Sequence, residues 1–264
     1  MAKGFADNPP EVAPPPAASR GGSHWRGQLF LFDRPQPPAF SSAQAYKLMA
    51  IFLFFELLVR PFAKYEARSL GIANRDWWMF LQMSLLTALV CGLVLQFAGV
   101  PFAHLGLYPW RRWSPAEKHY FPQILVITLL VFAFTQSSAL QALWLRSDLW
   151  RVALLVLVPQ MIWGFYQEFL YRGILQTVLV RCCGAPAGIL LGNLIFTFGP
   201  LHFYHFALAR ENPSHLWIFA GIFSIGLYFA ILFHRSGNLW MVAILHGLGD
   251  FFIDGLAQAS RMIR

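Results

Sequence analysis

Long apolar runs separated by short polar connections recur from residue 46 to residue 257, with the length of membrane-crossing helices. A bilayer core of about 30 Å is crossed by roughly 20 apolar residues in an α-helix. On that measure the chain predicts seven spans, within a range of six to eight: 46–63, 77–99, 120–141, 150–180, 186–205, 216–234 and 238–257. The expected fold class is all-α, a polytopic transmembrane helical bundle. Residues 100–119, broken by Pro101, Pro109 and Pro115 and carrying Arg111-Arg112, read as a loop with one interfacial helix. The run from 150 to 180 exceeds the bilayer core at about 1.5 Å per residue, so that helix should tilt, kink near Pro159 or Gly164, or extend beyond the membrane.

Residues 1–44 follow a different pattern. Pro9-Pro10, Pro14 to Pro16, Pro35 and Pro37-Pro38 are mixed with Gly, Ser and Ala, and no apolar period emerges. Proline at this density resists both helix and strand ladder, so a disordered tail is expected. No apolar core of signal-peptide type follows a basic start. The chain thus divides into a Pro-rich tail (1–44), N-terminal helices with an interfacial segment (45–149) and a polar-spotted helical core (150–258).

Composition supports the membrane reading. Hydrophobic residues make up 57% of the chain and charged ones 12%, against about 25% charge in a soluble domain. The net charge of +8 invites a nucleic-acid reading, but the basic residues stand singly between apolar runs, as Lys and Arg flanking a membrane do. Nucleic acid is therefore excluded as a partner and the lipid bilayer expected as one. Lys and Arg totals over alternate connections nearly balance, so orientation stays open. Three cysteines make no disulfide framework; Cys182-Cys183 read as small residues at a helix end, with palmitoylation as the alternative.

Three polar islands interrupt the later spans. The first is Gln167-Glu168 with Arg172, the second runs from Phe198 to His202 with His205 beyond, and the third is His246-Gly247-Leu248-Gly249-Asp250. A charge at hydrocarbon depth costs about 3 kcal/mol or more and persists only where it faces protein or a water-filled pocket. Glu168 and Arg172, four apart, share a helix face, as do His246 and Asp250. Gln167 is turned roughly 100° from Glu168, so the two neighbours serve different partners. Gly247 and Gly249 leave their helix thin enough for a neighbour or a substrate backbone to approach. Taken singly, each island could be a packing residue or a clasp; three on three spans suggest one shared wet cavity.

The ordered triple Gln-Glu-x-x-x-Arg, Phe-x-x-x-His and His-x-x-x-Asp resembles the CPBP family, the CAAX-processing and bacteriocin-immunity family of intramembrane proteases, whose pattern is Glu-Glu-x-x-x-Arg, Phe-x-x-x-His and His-x-x-x-Asn or Asp. The likeness covers about residues 150–257. It implies a glutamic-type endopeptidase cutting near the C-terminus of membrane-associated clients with a hydrophobic or lipidated tail, either CaaX-type proteins or proteins with a C-terminal sorting or anchoring tail. The implied location is an integral multi-pass protein of the bacterial cytoplasmic membrane. By resemblance, the base that activates water falls on Gln167, its helper on His202, and the oxyanion pair on His246 and Asp250. Glu168 and Arg172 fall on a clasp that shapes the base's surroundings, with Phe198, Gly247 and Gly249 lining the cavity.

Amide hydrolysis needs a base for water and donors for the oxyanion. An ionised Asp250 is acceptor-only, so it either orients His246 or is protonated in its apolar setting. Gln167 departs from the family, because an amide cannot take a proton from water. Three explanations stand open: an introduced Glu→Gln replacement that inactivates an enzyme, a natural pseudoenzyme that binds tails without cutting them, or Glu168 acting as base after a rotation of the helix. Two rivals remain beside the protease, namely a non-catalytic immunity or tail-binding protein and a proton-coupled transporter using Glu56, Glu168, His202, His246 and Asp250. No cofactor is expected. His202, His246 and Glu168 could nominally form a two-His-one-carboxylate zinc set, but no His-Glu-x-x-His motif is present and the three sit on different spans.

Overall fold

The computed structural model describes residues 40–61 and 75–261, all within one compact unit, Leu31–Arg264. Residues 1–39 of the expected tail, and the end of the first expected span, lie outside the described residues. Among the described residues seven helices are long and apolar enough to cross a membrane: α1 Ser42–Val59, α2 Trp77–Ala98, α3 Pro115–Thr135, α4 Leu149–Cys183, α5 Ala185–Glu211, α6 Pro213–Ser236 and α7 Leu239–Arg261. Among the described residues there is no strand. The protein is an integral, multi-pass, all-α membrane protein.

Local chemistry sets several helix ends away from where hydropathy alone put them. Ser41 caps α1 through a box with Gln44, each side chain bonding the other's backbone N–H, which starts the helix four residues before the first expected span. Ser114 and Glu117 form a second box with Pro115 at the first helical position, so α3 begins at 115 rather than 120. It ends at Thr135, where the polar run Gln136-Ser137-Ser138 begins, and a short helix Ser137–Trp144 follows. The 100–119 connection holds two single 3₁₀ turns, Phe102–Leu105 and Trp110–Arg112, in place of an interfacial helix.

The core is built around α4. Every residue from Tyr166 to Val178 is buried, and Phe169, Leu170, Ile174 and Leu175 share one apolar cluster with Leu48, Ile51 and Phe55 of α1, Val90 and Val94 of α2, and Leu239 and Val242 of α7. The outer helices expose apolar side chains: Leu81, Leu85 and Leu89 recur every fourth residue on α2, and Val126, Ile127, Leu130 and Phe134 project from α3. A fourfold repeat of exposed leucine makes one continuous stripe, the surface a bilayer would cover.

At 35 residues, α4 runs about 50 Å without a break. It widens instead, into five-residue turns at Ala153–Leu157 and Phe169–Gln176. The first precedes Pro159, which has no N–H to return to the preceding turn. The second begins one residue after Glu168, and such wide turns often mark functional sites in helices.

Candidate active site

The crossing of α4 and α7 brings two of the polar islands together. Gly164 and Gly247 meet there: a Cβ on Gly164 would fall within the backbone of Gly247, and one on Gly247 would lie 2.7 Å from Met161 Cα. Small residues allow this approach. Gly247 thus serves the helix crossing, whereas Gly249 faces open space with nothing within 4 Å of a Cβ.

Past the crossing, Gln167 and Glu168 engage different residues of α7. His246 Nδ1 donates to Glu168 Oε1 at 2.6 Å, since an ionised carboxylate can only accept. Glu168 Oε2 faces Arg172 Nε at 3.3 Å, an ion pair without the alignment of a hydrogen bond. Gln167 Nε2 donates to Asp250 Oδ2 at 3.4 Å, and Asp250 Oδ1 stands 3.7 Å from His246 Nε2. The four side chains form a chain of contacts running Gln167, Asp250, His246, Glu168, and on to Arg172. Burial differs sharply along it. The Glu168 side chain is 0% exposed and that of Asp250 23%.

Arg172 ties this network to α6. Its Nη2 donates to the carbonyl of Gly226 at 2.9 Å, and its guanidinium lies 4.1 Å above the Phe196 ring, a cation–π contact. Gly226 also makes room for Phe196, whose ring atoms would lie 2.9 Å from a Cβ at that position.

His202 arrives from α5, and a helix break explains its orientation. Pro200 has no N–H to return to the carbonyl of Phe196, four residues earlier. The helix stops at Phe198, and His202 Nδ1 donates to that freed carbonyl at 2.7 Å. A carbonyl only accepts, so Nδ1 carries the proton and Nε2 of the neutral ring keeps its lone pair. His202 meets the network through Phe196, whose centroid is 5.0 Å from the His202 ring, 6.1 Å from the His246 ring and 5.1 Å from the Tyr171 ring. Phe198 itself is 43% exposed and turned toward Phe206 and Phe219. The ring between the imidazoles is Phe196, two residues earlier. Nothing in a run of apolar residues distinguished one from the other.

A second buried ionic cluster adjoins the first. Arg60 donates to both oxygens of Glu56, with Nε at 2.8 Å from Oε2, as the four-residue spacing suggested. The spacing gave no hint that Tyr171 of α4 would donate to Glu56 Oε2 at 2.6 Å. The Arg60 guanidinium also covers Trp163 and Tyr166 at 5.2 and 5.8 Å. Charges therefore flank both sides of the Gln167 turn.

Chemically, the site offers an amide N–H donor, two imidazoles, and two carboxylates of unlike exposure. Among the described residues no three His, Cys, Asp or Glu side chains are grouped to hold a metal ion. Residues 148–252 match the family model described as Type II CAAX prenyl endopeptidase Rce1-like, a segment that includes every residue of the network just described. Neither a curated protein nor a solved structure matched the chain.

Proposed function

We propose, since residues 148–252 match the Rce1-like type II CAAX prenyl endopeptidase family model, that the protein is an intramembrane endopeptidase that cuts near the C-terminus of membrane-associated clients with a hydrophobic or lipidated tail. The observation that carries this reading is the run of polar contacts from Gln167 through Asp250 and His246 to Glu168, hydrogen-bonded at its two ends and 3.7 Å apart in the middle, at the crossing of two apolar helices. Polar groups at such depth are functional by default, and amide hydrolysis uses this set: a carboxylate, an imidazole with a free lone pair, and N–H donors for the oxyanion. Position 167 holds an amide, so water is not activated there. Glu168 is sealed between His246 and Arg172 and serves as the clasp.

A second reading, a tail-binding protein without hydrolysis, is favoured by Gln167 alone. The test reconstitutes the full chain in proteoliposomes with two peptides, one ending in a farnesylated CaaX sequence and one in an unmodified apolar tail. Mass spectrometry then follows the products. Cleavage of either by the native chain or by Q167E supports the peptidase. Binding of both without cleavage, in both chains, supports the second reading.

A further inference from the structure

Position 167 on α4 carries an amide where the family pattern has a carboxylate, while position 250 on α7 carries a carboxylate, which that pattern accepts beside Asn. Gln167 is the amide and Asp250 the carboxylate, and they touch, Nε2 to Oδ2 at 3.4 Å. We propose that Asp250 is the general base of this protein and Gln167 its oxyanion donor, so that the catalytic carboxylate lies on α7 and the site is active as written. The inference rests on the peptidase reading.

Three observations support it. First, Asp250 is the accessible carboxylate of the network, with 23% of its side chain exposed, whereas Glu168 is fully buried and held on both oxygens. A base must reach water. Second, the contacts on Asp250, at 3.4 and 3.7 Å, are long enough to yield to a water or substrate. The 2.6 Å bond between His246 and Glu168 is not. Third, an amide beside a carboxylate has its chemistry fixed: the carboxylate only accepts, so Gln167 presents N–H. Those hydrogens suit an oxyanion as an Asn on the opposite helix would.

The steps balance. Asp250 takes one proton from a water molecule, whose oxygen bonds to the scissile carbonyl carbon. The carbonyl electron pair moves onto oxygen, where the Gln167 N–H donates. As that pair returns, the C–N bond breaks and the proton on Asp250 passes to the leaving nitrogen. The products are a shortened chain with a new C-terminal carboxyl group, which keeps the water's second proton, and a released peptide amine; that proton then passes to the amine. His246, fixed through Nδ1 by Glu168, borders Asp250 on its other side, with Nε2 3.7 Å from Oδ1.

The test compares four full-length chains in proteoliposomes with the farnesylated and apolar-tailed peptides: native, D250N, Q167E and the double exchange Q167E/D250N. The native chain should cleave. D250N should lose about 100-fold or more in kcat, the scale of a lost general base, with KM and thermal unfolding little changed. The double exchange should recover cleavage to within about tenfold of native, the carboxylate and amide having traded places across the same contact. An inert native chain with an active Q167E or double exchange would overturn the inference and leave the peptidase reading standing, as would a native chain whose cleavage is indifferent to D250N. Four folded but inert chains would overturn both.

Discussion

Glu168 and His246 are joined by a 2.6 Å hydrogen bond across the α4–α7 crossing, with the carboxylate entirely out of contact with solvent. The same carboxylate balances Arg172, itself 1% exposed. This one acid therefore neutralises a buried guanidinium and fixes an imidazole, which leaves it no part as a free base.

Removing it should be costly. Glu168→Ala leaves Arg172 as an uncompensated buried charge, and the expected loss is about 3–5 kcal/mol, read as a drop in the thermal or denaturant midpoint in detergent. Glu168→Gln keeps an acceptor for His246 and should lose less. A drop below about 1 kcal/mol for the alanine variant would contradict the clasp.

The helix crossing gives a contrast within one helix pair. Gly164→Ala forces a methyl into the backbone of Gly247 and should cost about 1–3 kcal/mol, the range for overpacking. Gly249→Ala meets nothing and should stay within about 0.5 kcal/mol of native or gain slightly from helix propensity. Paired unfolding curves check both.

Tyr171→Phe deletes the hydroxyl that donates to Glu56 and keeps the ring against Phe52 and Phe196. A lost hydrogen bond to a charged group predicts a cost of about 1.5–3 kcal/mol. Unfolding by denaturant with unchanged peptide binding would identify the loss as structural.

The break in α5 gives a prediction that separates activity from stability. Pro200→Ala restores an N–H able to bond the Phe196 carbonyl, competing with His202 for its anchor. Cleavage should fall by up to about 100-fold, the scale of a small misplacement transmitted to the site from outside the reacting pair, while the melting temperature holds or rises. A variant that melts earlier yet cleaves normally would count against the anchoring role.

Much of this was legible in the chain. Seven apolar runs became seven helices, because the cost of exposed backbone in lipid leaves a long greasy run no alternative to helix. Pairs four apart, such as Glu168 with Arg172 and Glu56 with Arg60, could be read from helix geometry alone. The helix starts at Ser42 and Pro115 were missed by hydropathy, although both capping boxes stand in the sequence as Ser-x-x-Gln and Ser-x-x-Glu. Contacts between helices were not legible. Nothing in the spacing pairs Tyr171 with Glu56 or Gln167 with Asp250, and the choice of Phe196 over Phe198 depends on the break at Pro200, which turns the second ring outward. Periodicity reports which residues share a face; it carries no information on what that face meets.

Gly226 stands outside the Gln167–Asp250 pair, yet it controls two neighbours of the polar network. Its carbonyl holds Arg172, and its missing side chain gives Phe196 the room to stand between the imidazoles. A single methyl on a lipid-flanked helix would thus disturb the charge balance and the shape of the site together. In the peptidase proposed above, client preference would be tunable from α6, by substitutions remote from any bond that is made or broken.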